Sequence, residues 1–178
     1  MKKCLCLFAL FVFSMAIYAQ KSNISTNGKL ITIQTKYYSF DYPDTWIIDT
    51  SRVLGIDVFV KSPKEDDFDK FSENLNVFVQ DLTGQGYDLL KMGRESEAQV
   101  QNVVNDFEIL ESRLDTVSAI PCYSLKFKGR QGKFLLITSQ RYYLKENTGF
   151  AITFTMEAEN EERYRALSKQ MMDSFRFR

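Results

Sequence analysis

Apolar and polar residues alternate along most of the chain. Ile31 and Ile33 flank Thr32. Tyr38, Phe40 and Tyr42 enclose Ser39 and Asp41. Ile56, Val58 and Val60 enclose Asp57 and Phe59 and lead into Lys61. A period of two predicts half-buried strands. Pro43-Asp44 predicts a turn, after which Trp46-Ile47-Ile48 resumes an extended run. The stretch SENLNVFVQDL (Ser72 to Leu82) places Leu75, Val77 and Val79 on one face, with Phe78 and Leu82 on the other. Such a strand is covered, at least partly, on both sides.

The period then changes. TGQG breaks the chain, and Asp88 is placed to cap a helix running to about Val104. Leu89, Met92, Val100, Val103 and Phe107 recur at helical spacing, with Ser96 as a gap in the stripe. Gly93 weakens that helix by about 1 kcal/mol relative to alanine and allows close packing. From Phe107 strands return, beginning with FEILES. Tyr123, Leu125 and Phe127 alternate with Ser124, Lys126 and Lys128, and a turn is expected at Gly129 to Gly132. Phe134 to Leu144 reads as a long strand, KENTG as a turn, and Phe150, Ile152, Phe154 and Met156 as the cleanest alternation in the chain. Short links make these three strands an antiparallel meander. A last helix is expected from about Glu161 to Phe175, capped at Asn160, with Glu161 and Glu162 near its N-terminus and Tyr164, Leu167, Met171 and Phe175 as its apolar stripe. The sum is an α+β domain: a mostly antiparallel β-sheet flanked by helices.

The N-terminus changes the picture of where the domain works. Lys2 and Lys3 precede an apolar run of sixteen residues, Cys4 to Ala19, and small Ala19 stands before Gln20. This is the layout of a secretory signal peptide over residues 1–19. The run is shorter than the ~20 residues of a spanning helix, and Ser14 interrupts it. Residues 20–29 read as a flexible lead, containing the Asn23-Ile24-Ser25 glycosylation-acceptor pattern, and 30–178 as one domain. The expectation is an exported protein, periplasmic or secreted, with no transmembrane segment after cleavage. Losing Lys2 and Lys3 takes the basic residues from 23 to 21 against 23 acids, a formal charge of −2. That balance gives no field for nucleic acid or for a generic anionic membrane. Only Cys122 survives cleavage, so no internal disulfide forms. It follows Pro121 and reads as a small, semi-buried hydrophobe, with a reactive thiol as the alternative.

Candidate chemistry is narrow. The chain has no histidine, which excludes Ser-His-Asp and Cys-His nucleophilic sites and leaves zinc poorly served. Gly84-Gln85-Gly86 is too short for a phosphate loop. The segment from Ser62 to Asn74 carries Glu65, Asp66, Asp67, Asp69 and Glu73. It lacks the spacing and the glycine of a calcium loop, so it reads as a solvated turn. No cofactor or metal is expected. The candidate ligand or partner face is the polar side of the meander: Ser124, Lys126 and Lys128, then Arg141 and Tyr143, then Thr153 and Thr155. Cross-strand neighbours on one face lie about 5 Å apart, so these cations and hydroxyls suit an anionic or carbohydrate-like group. A helix lying over the face would remove the site.

Four stretches carry a resemblance: FDYPDTW (Phe40 to Trp46), SENLNVFVQDL, AIPCYSLKFKG (Ala119 to Gly129) and DSFRF (Asp173 to Phe177). In this order they resemble the PsbP-like family, which includes the extrinsic oxygen-evolving protein of photosystem II, a nuclear Ran-binding relative and exported bacterial proteins. The resemblance implies an α–β–α sandwich, and binding or assembly work rather than catalysis. The photosynthetic relatives use histidines for metal, and that role does not carry over to a chain without any. The functional expectation is an exported, non-catalytic binding or assembly domain of the bacterial cell envelope. Its partner is an unknown protein or small ligand, not nucleic acid. The alternatives are an envelope enzyme using carboxylates and a chaperone-like module holding apolar segments.

Overall fold

The hairpin turns set the architecture. The computed structural model describes residues 28–52 and 55–178; the leader, the lead up to residue 27 and Asn23 lie outside the described residues. In chain order the elements are β1 (Leu30–Gln34), β2 (Tyr38–Pro43), β3 (Ile47–Asp49), β4 (Ile56–Lys61), β5 (Asn74–Asp81), α1 (Leu89–Val103), β6 (Asn105–Val117), β7 (Ile120–Gln131), β8 (Phe134–Lys145) and β9 (Thr148–Glu157). A 3-10 turn (Ala158–Asn160), α2 (Glu161–Asp173) and β10 (Arg176–Phe177) follow. Three two-residue links join β6 to β9: Ser118-Ala119, Gly132-Lys133 and Glu146-Asn147. Ser118, Ala119, Gly132 and Glu146 all have positive φ, the conformation that matches a tight hairpin to strand twist. The turn expected at Gly129 to Gly132 is therefore shorter. Gly129 stays in β7, where a Cβ would lie 2.2 Å from Val104 Cγ1.

The strands form two sheets, not the single sheet that the alternation implied. Seven run in the order β3-β4-β5-β9-β8-β7-β6, every neighbour antiparallel, and β1-β2-β10 make a second, small sheet. The large sheet is the middle layer. On one face Leu75, Val77, Phe150, Ile152 and Phe154 pack against Tyr38 and Phe40 of the small sheet, Trp46, and Tyr164, Leu167, Met171 and Phe175 from α2 and its C-terminal end. On the other, Tyr123, Leu125, Phe127, Tyr142 and Ala151 pack against Met92, Val100 and Val104. The α+β sandwich is as the pattern indicated, and β5 is covered on both sides for the reason its residues gave.

Two helix details differ. Val103 is 70% exposed rather than part of the buried stripe, because the chain leaves the helix at Val104 and turns into β6. Buried Ser96 fills the gap, its hydroxyl donating to the Met92 carbonyl at 2.8 Å. Asp88 does cap α1, accepting from the Lys91 amide at 2.7 Å. Asn160 precedes α2 but its side chain makes no cap bond; it donates instead to Glu73 Oε1 at 2.8 Å.

Candidate functional site

Strand parity divides the sequence-predicted face. β8 and β9 are joined by a two-residue turn, so Arg141 lies opposite Ile152, and Thr153 opposite Gln140. Ser124, Lys126, Lys128, Arg141 and Tyr143 share the α2 side of the sheet. Thr153 and Thr155 face α1 and are buried, Thr153 Oγ1 accepting from Gln140 at 3.3 Å. Tyr143 is buried too, its ring stacked on Phe175 at 4.8 Å, and burial pushes its hydroxyl up to about 12. Only Ser124, Lys126 and Arg141 of the expected set reach the accessible surface of one cleft.

That cleft, of about 530 Å³, lies between α2 and the outer strands β6, β7 and β8. Its floor is Ser124 and Lys126 of β7 with Ser139 and Arg141 of β8. Arg165, Ser168, Lys169 and Asp173 of α2 form one wall, and Glu111, Arg113 and Asp115 of β6 the other. Arg165, Lys169 and Asp173 stand four residues apart, one above the next on a single helix face, and Glu161 begins the same row.

Ion pairs fasten both ends of this row to the sheet. Lys126 Nζ reaches Glu161 Oε1 at 2.7 Å, and Arg141 Nη2 reaches Asp173 Oδ1 at 2.7 Å. Ser118 Oγ, at the tip of the β6–β7 hairpin, donates to the Asp173 carbonyl at 3.2 Å. Arg141 is the buried member, with a side chain 15% exposed and an enclosed Nη1 that has no hydrogen-bond partner. Arg113, Arg165 and Lys169 are far more open.

Asp115 and Asp173 in the cleft, and Glu161 at its end, are held below the usual carboxylate range. The Lys126 bond holds Glu161 below its usual range. Burial pushes Asp173 up, but Lys169 and Arg141 more than offset it and hold the group low. Burial likewise acts on Asp115, and the Thr116 amide and Arg113 outweigh it. None of the three is poised to give a proton near neutral pH. The lining carries five basic side chains against three acidic ones. The open cations sit in exposed pairs worth little each, so an incoming anion can take them over at small cost.

Two other sequence-marked features lie elsewhere. Cys122 is fully buried beside the cleft floor, and burial pushes its thiol up. In the acidic loop, Asp66 accepts from the Phe68 and Asp69 amides, Asp69 accepts from those of Glu65 and Phe71, and Glu65 pairs with Arg163. These carboxylates are engaged by their own segment and by α2. Among the described residues no group of three or more His, Cys, Asp or Glu is placed to hold a metal ion. No described helix is long and apolar enough to cross a membrane.

No family model matches the chain, and no curated protein matches it. Solved structures do. Cyanobacterial PsbP (CyanoP) from Synechocystis is 14% identical, with 88% of this chain and 98% of that one covered, at a TM-score of 0.61. LpqN of Mycobacterium tuberculosis, involved in cell envelope biogenesis, is 11% identical over 84% of this chain and 90% of its own, at 0.62. The Ran-binding protein Mog1p of Saccharomyces cerevisiae is 14% identical over 85% and 96%, at 0.55. Each is matched over nearly its whole length, at identities that carry fold alone. This chain has the PsbP-like fold.

Proposed function

We propose that the chain is an exported, non-catalytic module of the cell envelope that binds a partner or small ligand through an acidic group seated between α2 and β6–β8. The observation that carries this is the cleft itself: a polar trough with a surplus of cations, floored by buried Arg141 and rimmed by Arg113, Arg165 and Lys169. The ion pairs that hold Asp115, Glu161 and Asp173 low favour binding over acid–base chemistry there. LpqN's part in envelope biogenesis and Mog1p's binding of Ran fit a fold used for recognition. The leader read from residues 1–19 supports export.

A photo-crosslinking residue at Lys169, on the cleft rim, tests the reading, with the same residue at exposed Gln101 of α1 as control. In cells, the Lys169 probe gives a discrete adduct that the Gln101 probe does not, and Arg113→Glu with Arg165→Glu abolishes it. Equal labelling from both positions, or an adduct indifferent to the charge reversals, rejects the cleft as the binding site. Fractionation with N-terminal sequencing checks the location: the envelope fraction yields a chain beginning at Gln20, and a cytoplasmic chain retaining Met1 rejects export.

A further inference from the structure

β6 ends the large sheet, and its outer side meets no other strand among the described residues. Its two halves differ. The N-terminal half is broken by irregularities between Asn105 and Glu108 and between Ile109 and Glu111, and Asp106 has positive φ. Such bulges are a standard way to blunt an edge. From Glu111 to Val117 the register against β7 is unbroken, so seven residues present a regular edge.

The Ser118-Ala119 turn fixes the phase of that edge. In a two-residue hairpin the flanking residues, here Val117 and Ile120, exchange both backbone bonds, and every second pair repeats this. Asp115, Arg113 and Glu111 therefore bond inward to β7. Ser112, Leu114 and Thr116 turn their amides and carbonyls outward, and the Thr116 amide, which donates to Asp115 Oδ1 at 2.8 Å, exchanges that bond when a strand docks. Pro121 lies opposite Thr116, in a pair that exchanges no bonds and so asks for no N–H.

Charge order selects a partner for the edge. A two-fold axis through Leu114 sets Arg113 of each copy opposite Asp115 of the other, twice, in the closer-spaced non-bonded pairs. The outward backbone groups of Ser112 then meet those of Thr116, and the two Leu114 side chains, each 53% exposed, meet each other. An axis through Arg113 sets Arg on Arg and Glu111 on Asp115. An axis through Asp115 sets Asp on Asp. An axis through Ser112 runs the pairing into the bulge at Leu110. The helices leave room. α1 packs chiefly on β7, so with strands ~4.8 Å apart the two α1 axes would lie about 14 Å from each other, wider than packed helices need.

We propose that Glu111–Val117 pairs antiparallel with the same segment of a second copy about a two-fold axis through Leu114, joining two seven-stranded sheets into one. The axis is normal to the sheet, so both α2 clefts open on the same face. The partner's Arg113 then borders the open β6 side of each cleft.

Sedimentation equilibrium of the purified chain tests this. The wild-type chain gives a dimer mass at high concentration. Arg113→Asp or Asp115→Arg alone puts like charges opposite and weakens association about tenfold or more, and the double swap restores it. Thr116→Pro removes one outward N–H, which in the single chain donates to Asp115 Oδ1 at 2.8 Å, at an edge position that tolerates proline; it gives a monomer whose circular dichroism shows the fold retained. A wild-type monomer at every concentration, a dimer indifferent to Thr116→Pro, or single swaps that the double swap does not rescue, overturns the proposal.

Discussion

At the scale of single residues, packing at Gly93 overrides helix propensity. Alanine there should gain about 1 kcal/mol from the backbone, but its Cβ would lie 2.1 Å from Tyr123 Cγ. That ring cannot retreat freely, since its hydroxyl bonds Ser112 Oγ at 2.6 Å and Glu97 at 3.0 Å. Gly93→Ala is expected to destabilise by about 1–3 kcal/mol, lowering the melting temperature by ~2–4 °C per kcal/mol in a chain of this size. Glu73 offers a test with pH. It is 3% exposed, and burial raises its pKa against the opposing bonds from Asn160 and Ser62. A carboxyl raised in the folded state contributes stability below its ordinary value of 4.5 and loses it as pH rises through the folded value. Denaturation of wild type against Glu73→Gln should show the variant gaining relative stability toward pH 7, with the gap closing toward pH 4. Close packing at Gly93 was legible in the sequence because a glycine inside a periodic helix needs a reason. The burial of Glu73 was not, because nothing in a run of five acids singles out the one that α2 covers.

At the scale of elements, the apolar stripes were the most readable feature and the strand faces the least. Tyr164, Leu167, Met171 and Phe175 are all buried, as the 3.6-residue period required. Thr153 and Thr155 alternate with apolar residues and so read as part of the polar face, yet they lie on the α1 side, because the β8–β9 link is shorter than the five residues of KENTG. The real loop is Glu146-Asn147, and one residue of phase moves a strand's whole side-chain set to the other face. The α2 wall of the cleft was present in the sequence as Arg165, Lys169 and Asp173 at four-residue intervals, but a polar helix row looks like solvated surface until a sheet is seen opposite it. Phe175 holds this region together, with Tyr143 at 4.8 Å and Tyr38 and Phe177 each at 5.4 Å. Phe175→Ala is expected to cost about 3–5 kcal/mol. β10 should loosen first, read as faster amide exchange at Arg178, whose N–H donates to the Tyr37 carbonyl at 3.0 Å.

At the scale of the whole molecule, the layer order followed from two amphipathic helices and a run of alternating strands. The separate small sheet did not, because β10 is two residues long and pairs with β2 across almost the full sequence. The cleft arises from the same long-range docking: α2 crosses the sheet and leaves β6 to β8 partly uncovered. Its rim contributes little to stability. Arg165→Glu, at a side chain 61% exposed, should shift unfolding by no more than about 0.5 kcal/mol. In a test of the binding proposed for the cleft, that variant therefore reports on the site and not on the fold. Cys122 is the lone cysteine of the described residues and lies wholly inside the sandwich. A thiol reagent therefore finds it only when the core on the α2 side opens around the start of β7. The pace of alkylation in native buffer becomes a built-in clock for how often this molecule breathes open, with no engineered reporter required.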